Sequence, residues 1–298
     1  MSSSSLVGAE VTVVERIAEI RSLVTAARER GEIVGLVPTM GALHRGHLSL
    51  MDQARRECDL VVASIFVNPT QFGPSEDFAR YPRNLATDLR LCGQAGVDVV
   101  FHPAASDVYP PGFATFVDVG GLAGVLEGAF RPGHFRGVAT VVLKLFQMVP
   151  ASIAYFGQKD YQQQTVIRRL ARDLDLAIEI RTCPTIREPD GLALSSRNVY
   201  LNPQERQAAR LLSESLHRAA QLVRDGADDL DRVREAMREV LRSSPLVQPD
   251  YATLVHPTTL EEVATPLPTL VALVAARVGT TRLIDNEVIS LADPLNPP

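Results

Sequence analysis

The sequence predicts an α/β fold: a doubly wound parallel sheet followed by a smaller α+β region. Three observations predict it. From residue 10 to about 183, apolar strand-like runs alternate with amphipathic helical patterns, the rhythm of repeated βα units. One run, Leu60-Val61-Val62-Ala63-Ser64-Ile65-Phe66-Val67, is apolar almost throughout, as suits a parallel strand covered on both faces. Beyond Pro184 the texture changes to two long helical patterns and then strand-like runs.

Ile17, Ile20, Val24 and Ala27 recur at helical spacing until Gly31 stops the first helix. Ile33 to Val37 is the next strand, and Leu48, Met51, Ala54 and Cys58 line the buried face of the helix that follows. After the strand at Leu60–Val67 come a helix near 84–95 and a strand at Val97–Phe101. A helix over 134–149, a strand at Ile153–Phe156, a helix over 159–173 and a strand at Ala177–Ile180 complete the sheet. In the second region, Pro203–Arg224 and Asp228–Ser243 read as helices, the first opened by a cap and an N1 proline at Asn202-Pro203. Val247–Val255, Leu270–Arg277 and Arg282–Val288 suggest a small mixed sheet. The expected organisation is a disordered tail over 1–9, a larger domain over 10–185 and a smaller one over 186–298.

Composition narrows the function. At 298 residues with 46% hydrophobic content, the chain can fill a sizeable core. No apolar stretch is long enough to span a bilayer, and the serine-rich start lacks the pattern of a secretory signal. Three widely spaced cysteines, Cys58, Cys92 and Cys183, suit a reducing cytoplasm better than a disulfide framework or a zinc site. A net charge of -5 offers no general attraction for nucleic acid.

The chemistry gathers where strands end, the usual ligand edge of a doubly wound sheet. Pro38-Thr39-Met40-Gly41-Ala42-Leu43-His44-Arg45-Gly46-His47 joins a buried strand to a helix. Two imidazoles three residues apart share one face of the first helical turn. That turn also presents free N–H groups and the positive end of the helix dipole, which favour phosphate. A helix cap or an H-x-x-H metal pair are the alternatives. Neither accounts for Gly41 and Gly46, which let a base or a phosphate approach the backbone. Asn68-Pro69-Thr70-Gln71-Phe72-Gly73 is a turn whose Gln71 can offer both a donor and an acceptor to a hydroxy acid. Phe156-Gly157-Gln158-Lys159-Asp160 again joins strand to helix. It places Lys159 in a first helical turn, where a lysine is disfavoured unless an anion compensates. In Ile186 to Asn198, Ser195-Ser196-Arg197 combines two hydroxyls with a guanidinium able to grip two phosphate oxygens. Asp88 lies early in its helix, where an acid complements the dipole. His134 and Arg136 sit at the mouth of a loop entering a helix, and His134 is open to a local partner or to a ligand.

Met40 to His47 resembles the H-x-G-H signature of the nucleotidylyl transferase superfamily, in the form used by the pantothenate synthetase family. Phe66-Val67-Asn68-Pro69-Thr70-Gln71-Phe72, Phe156 to Gln163 and Leu194 to Asn198 resemble further motifs of that family in the same order, and the likeness runs from about residue 10 to about 290. Leu194 stands where the family usually has methionine. The resemblance implies a Rossmann-like larger domain and a smaller lid domain. It implies ATP-dependent condensation of pantoate with β-alanine to pantothenate through a pantoyl adenylate, releasing AMP and pyrophosphate. ATP would lie along Met40, Gly41, Ala42, Leu43, His44, Arg45, Gly46 and His47, along Gly157, Gln158, Lys159 and Asp160, and against Ile186, Leu194, Ser195, Ser196 and Arg197. His44, His47, Lys159, Ser195, Ser196 and Arg197 would drive adenylation, with His47 as a proton donor. Gln71 and Gln163 would hold pantoate, and Asp88 would carry Mg²⁺. A cytoplasmic homodimer is the implied state, with no nucleic acid or membrane partner. Two rivals differ in class: another adenylyltransferase of the superfamily, and a nucleotide-binding module without catalysis. The two glutamines argue against the first, where an anionic substrate would want arginines. The retained histidines, lysine and Ser-Ser-Arg argue against the second.

Overall fold

A computed structural model describes residues 11–291 except 75 and 77, so the expected tail over 1–9 lies outside the described residues. Contacts divide the chain into two units, one built from residues up to 157 plus 163–184, the other from 158–162 plus 185 onward.

The first unit is a parallel sheet of six strands: β1 (Thr12–Val14), β2 (Val34–Thr39), β3 (Leu60–Ile65), β4 (Val99–Phe101), β5 (Ile153–Gly157) and β6 (Glu179–Cys183). Their spatial order is β1-β4-β3-β2-β5-β6. The chain therefore winds one way from β2 through β4 and the other way from β5 to β6, and the direction switches between β2 and β5. Helices α1 (Ile17–Glu29), α2 (Arg45–Glu57), α3 (Leu85–Gln94), the short α4 (Ala105–Val108) and α5 (Glu127–Phe130), α6 (His134–Met148) and α7 (Tyr161–Asp173) make the connections. β3 is apolar because both its faces are covered: Val61, Val62, Ala63 and Ile65 are all buried. Leu50, Met51 and Ala54 of α2 pack with Val61, Ala63 and Val37 in one core. β1 is too short to stand out as a strand in the sequence; its pairing with β4 makes it one.

The second unit carries α8 (Pro203–Arg224) and α9 (Leu230–Arg242) with strands β7 (Val247–Val255), β8 (Thr269–Val278) and β9 (Thr281–Ser290). Asn202 and Glu205 cap α8 reciprocally, each side chain accepting the other's backbone N–H at 2.9 Å. Leu230, Val233, Met237 and Leu241 form the buried stripe of α9 and meet Leu254, Leu270 and Val274 in a second core. The expected mixed sheet is instead wholly antiparallel, in the order β7-β8-β9. Two residues, Gly279-Thr280, join β8 to β9, and so tight a hairpin leaves only an antiparallel arrangement. No helix among the described residues is long and apolar enough to cross a membrane.

Candidate active site

In the first unit, the loop leaving β2 is held from below. Gly41 and Ala42 adopt φ of 76° and 50°, so successive N–H groups turn inward. Asp88 Oδ2 accepts from Ala42 N–H at 3.0 Å, and Oδ1 accepts from Leu43 N–H at 2.9 Å. A β-carbon on Gly41 would stand 2.8 Å from Asp88 Oδ2. Gly41 thus makes room for this carboxylate, a different use from the open approach to a base or phosphate expected of it. Asp88 likewise has a structural partner where a magnesium role was expected: both its oxygens are engaged with backbone, and it is buried. Among the described residues no group of three or more His, Cys, Asp or Glu could hold a metal ion. A cation beside Asp88 would thus take most of its ligands from ATP and water, as Mg²⁺ does.

His44 is the N-cap of α2 and His47 its third residue. Gly46 N–H donates to His44 Nδ1 at 3.1 Å, and His44 N–H donates to His47 Nδ1 at 3.3 Å. The rings lie 4.1 Å apart, tilted by 38°. Because each Nδ1 accepts, each neutral imidazole carries its proton on Nε2, an assignment that follows from the hydrogen bonds. The cap among the sequence alternatives is realised through the Nδ1 atoms of both rings. No acidic residue occupies the first turn of α2 to offset its dipole. Arg45, between the two histidines in sequence, is exposed.

Gln71 ends a 3₁₀ turn over Pro69–Gln71. Its carboxamide oxygen accepts from Asn68 Nδ2 at 3.0 Å, while its nitrogen lies 3.3 Å from Met40 Sδ. Asn68 is buried and also donates to the Gly137 carbonyl, and its oxygen accepts from Tyr109 OH at 2.8 Å. The sequence reading passed over Asn68 and Tyr109 as contributors; an asparagine before a proline at a strand end was the available signal for the first. His134 is satisfied locally: Nδ1–H donates to the Gln71 carbonyl at 2.9 Å, and Nε2 accepts from Arg131 at 3.0 Å. Burial, and then the Arg131 charge, lower its pKa to about 4. Burial would raise Glu76, but the two-pronged bond from Arg131 outweighs it and holds that carboxyl below its usual range. Arg136 stacks its guanidinium 4.4 Å over the Phe116 ring. Gln163 lies half-buried in the first turn of α7.

The second unit holds the other candidates. α7 begins at Tyr161, so Gln158, Lys159 and Asp160 form a turn before it and Lys159 is not in the first helical turn. Gly157 closes β5. Lys159 Nζ lies 3.7 Å from Asp160 Oδ1 and lines a cavity with Ser195, Asn198 and Asp285. Leu194 N–H donates to the Ile186 carbonyl at 3.0 Å, closing a hairpin that delivers Ser195. Ser195 Oγ accepts from Arg197 N–H at 3.2 Å and caps a 3₁₀ helix over Ser196–Tyr200. Asn198 donates to the Ala193 carbonyl at 3.0 Å, leaving its buried Oδ1 without a hydrogen-bond partner at the cavity. The site residues thus gather in two groups: the histidines with Gln71 in the first unit, and Lys159 with Ser195 in the second.

The chain is similar to known proteins over most of its length. The pantoate-beta-alanine ligase family matches residues 12–288. A pantothenate synthetase of Pelotomaculum thermopropionicum is 51% identical, over 93% of this chain and 98% of the relative. One from Roseiflexus castenholzii is 57% identical over 86% and 92%. The crystal structure of pantothenate synthetase from Thermus thermophilus superposes with a TM-score of 0.89 at 48% identity, over 93% of this chain and 99% of that one. A pantoate-beta-alanine ligase from Francisella tularensis, complexed with beta-gamma ATP and beta-alanine, gives 0.76 at 34% identity, over 93% and 97%.

Proposed function

The chain belongs to the pantoate-beta-alanine ligase family, and from that premise we propose that it condenses pantoate with β-alanine through a pantoyl adenylate. The pantoate carboxylate attacks the α-phosphorus of ATP and pyrophosphate leaves. The β-alanine amine then attacks the acyl carbon, and AMP departs as the carbon–nitrogen bond forms. The paired rings of His44 and His47 carry this reading. With each Nδ1 engaged at the N-terminus of α2, the Nε2 proton is the one that would meet the charge growing on the phosphates as pyrophosphate separates.

The remaining roles follow from chemistry. Lys159, Ser195, Ser196 and Arg197 supply charge and hydrogen bonds to the triphosphate, without any covalent enzyme intermediate. Met40 to His47, Gly157 to Asp160, Ile186 and Leu194 line ATP. Gln71 and Gln163 hold pantoate through their carboxamides, and Asn68 fixes which way round the Gln71 amide lies. ATP and β-alanine bound to the Francisella relative support the choice of substrates. Mg²⁺ belongs to the reading as a companion of ATP rather than a resident of the protein. The smaller domain, 186–298, acts as a lid in this reading, and the enzyme works as a cytoplasmic homodimer; scattering with and without ATP tests both closure and assembly.

Single-turnover formation of pantoyl adenylate tests the central claim. His47→Ala is expected to slow it about a hundredfold or more. A rate within a few-fold of the parent, or AMP release independent of β-alanine, overturns the proposal.

A further inference from the structure

Asn286 is buried on β9, and both hydrogens of its carboxamide are committed. Nδ2 donates to the Gln158 carbonyl at 2.9 Å and to the Lys159 carbonyl at 2.8 Å. Those two carbonyls belong to the peptide groups on either side of the Lys159 α-carbon. A peptide group is planar, so fixing both carbonyls fixes both backbone dihedrals of the residue between them. The direction of its side chain follows. The turn over 158–160 has left β5 and has not yet entered α7, so neither element's hydrogen-bond ladder does this job.

The adjacent residue of β9 performs a parallel task. Asp285 is buried and takes a two-pronged bond from Arg187, at 2.6 and 3.0 Å. Arg187 also donates to the carbonyls of Gly191 and Asn286. The hairpin that leads into Ser195 is therefore tied to Asp285 and, through its carbonyl, to Asn286, the residue that also holds the Lys159 turn. Lys159, Ser195 and Asp285 line one cavity.

We infer that Asn286 is a positioning residue that aims the Lys159 ammonium group, with Asp285 holding the Ser195 hairpin in register beside it through Arg187. The inference rests on the reading of Lys159 as a phosphate contact. The side-chain chemistry is specific: a primary amide of this length brings two donors to neighbouring carbonyl oxygens. Aspartate presents oxygens to oxygens there, alanine presents nothing, and serine offers one donor.

A double-mutant cycle in the intact chain tests it, using Asn286→Asp, Lys159→Ala and the pair, with single-turnover adenylate formation as the rate and thermal midpoints recorded alongside. Asn286→Asp is expected to slow adenylation by about ten- to a hundredfold, the scale of a misplaced reacting group. In the Lys159→Ala background the same change should alter the rate by less than about twofold, because the group it aims is gone. The second half-reaction, aminolysis of preformed adenylate by β-alanine, should keep its KM for β-alanine. Equal slowing in both backgrounds overturns the inference and makes Asn286 a general support of the fold. A Lys159→Ala rate near the parent's removes the phosphate-contact reading and the inference with it, a result distinct from the first. If the aspartate variant does not fold, Asn286→Ser carries the same cycle with the same criteria.

Discussion

Replacing His134 with asparagine is expected to blunt the loss of stability in acid. The folded imidazole is buried between the Gln71 carbonyl and the Arg131 guanidinium. A second ring proton would point at a cation already 3.0 Å away. Burial first, and Arg131 next, bring the pKa from 6.5 down to about 4, against the opposing pull of the Gln71 carbonyl, Glu76 and Glu127. As pH falls below about 6.5 the unfolded chain takes up the proton and the folded one does not. Between about 6.5 and 4 the unfolded state therefore binds more protons, and stability declines with falling pH. The contribution is complete above 6.5, and the gap between the two values is worth about 3 kcal/mol, of which about 2.5 kcal/mol is lost by pH 4.5. Asparagine keeps a donor for the Gln71 carbonyl and has nothing to titrate. Urea unfolding followed by circular dichroism at pH 7 and pH 4.5 gives the comparison. The parent should lose about 2.5 kcal/mol more than the variant across that interval. Equal losses would refute the reasoning, because carboxylates common to both chains would then explain the whole acid response.

Other substitutions follow from single contacts. Asp88→Asn removes a charged acceptor from the Ala42 and Leu43 N–H groups; it should cost about 1–3 kcal/mol in denaturant titration and raise the KM for ATP, with no recovery in excess Mg²⁺. Gly137→Ala drives a β-carbon into the backbone of Thr70 and Gln71. Backbone cannot swing aside as a side chain can, so calorimetry should show a destabilisation of about 3 kcal/mol and pantoate binding should weaken. Arg187→Met strands a buried Asp285 carboxylate. The arginine is partly exposed, which tempers the loss to about 2–3 kcal/mol, measurable as a lower thermal midpoint.

The parts of this molecule legible in its sequence are those governed by near neighbours. β3 announced itself because a strand buried on both faces needs a run of apolar residues. The start of α8 did so because an asparagine cap and an N1 proline, Asn202 and Pro203, mark a helix start within one turn. The histidine pair was legible as a shared face, although the reciprocal capping that orients both rings was not. Local pattern also misplaced Lys159, since nothing in a polar glycine-rich turn says whether the helix begins at residue 159 or 161. Asp88, Asn286 and Asp285 were opaque for another reason. Their partners stand 45 or 46, 127 or 128, and 98 residues away, and helical or strand periodicity carries no information over such separations. Folding of the whole chain brings these residues to the loops they hold.

The assignment of residues 158–162 to the second unit, although first-unit sequence flanks them on both sides, bears on any attempt to dissect the protein. A fragment beginning at residue 185 would be contiguous and would contain every strand of its sheet, yet it would lack the peptide that Asn286 grips. The Asn286 amide would then exchange both of those bonds for water, a loss of roughly 0.5–1.5 kcal/mol per bond. Supplying the missing pentapeptide as a genetic graft, rather than moving the cut site, is what a stable isolated fragment would require.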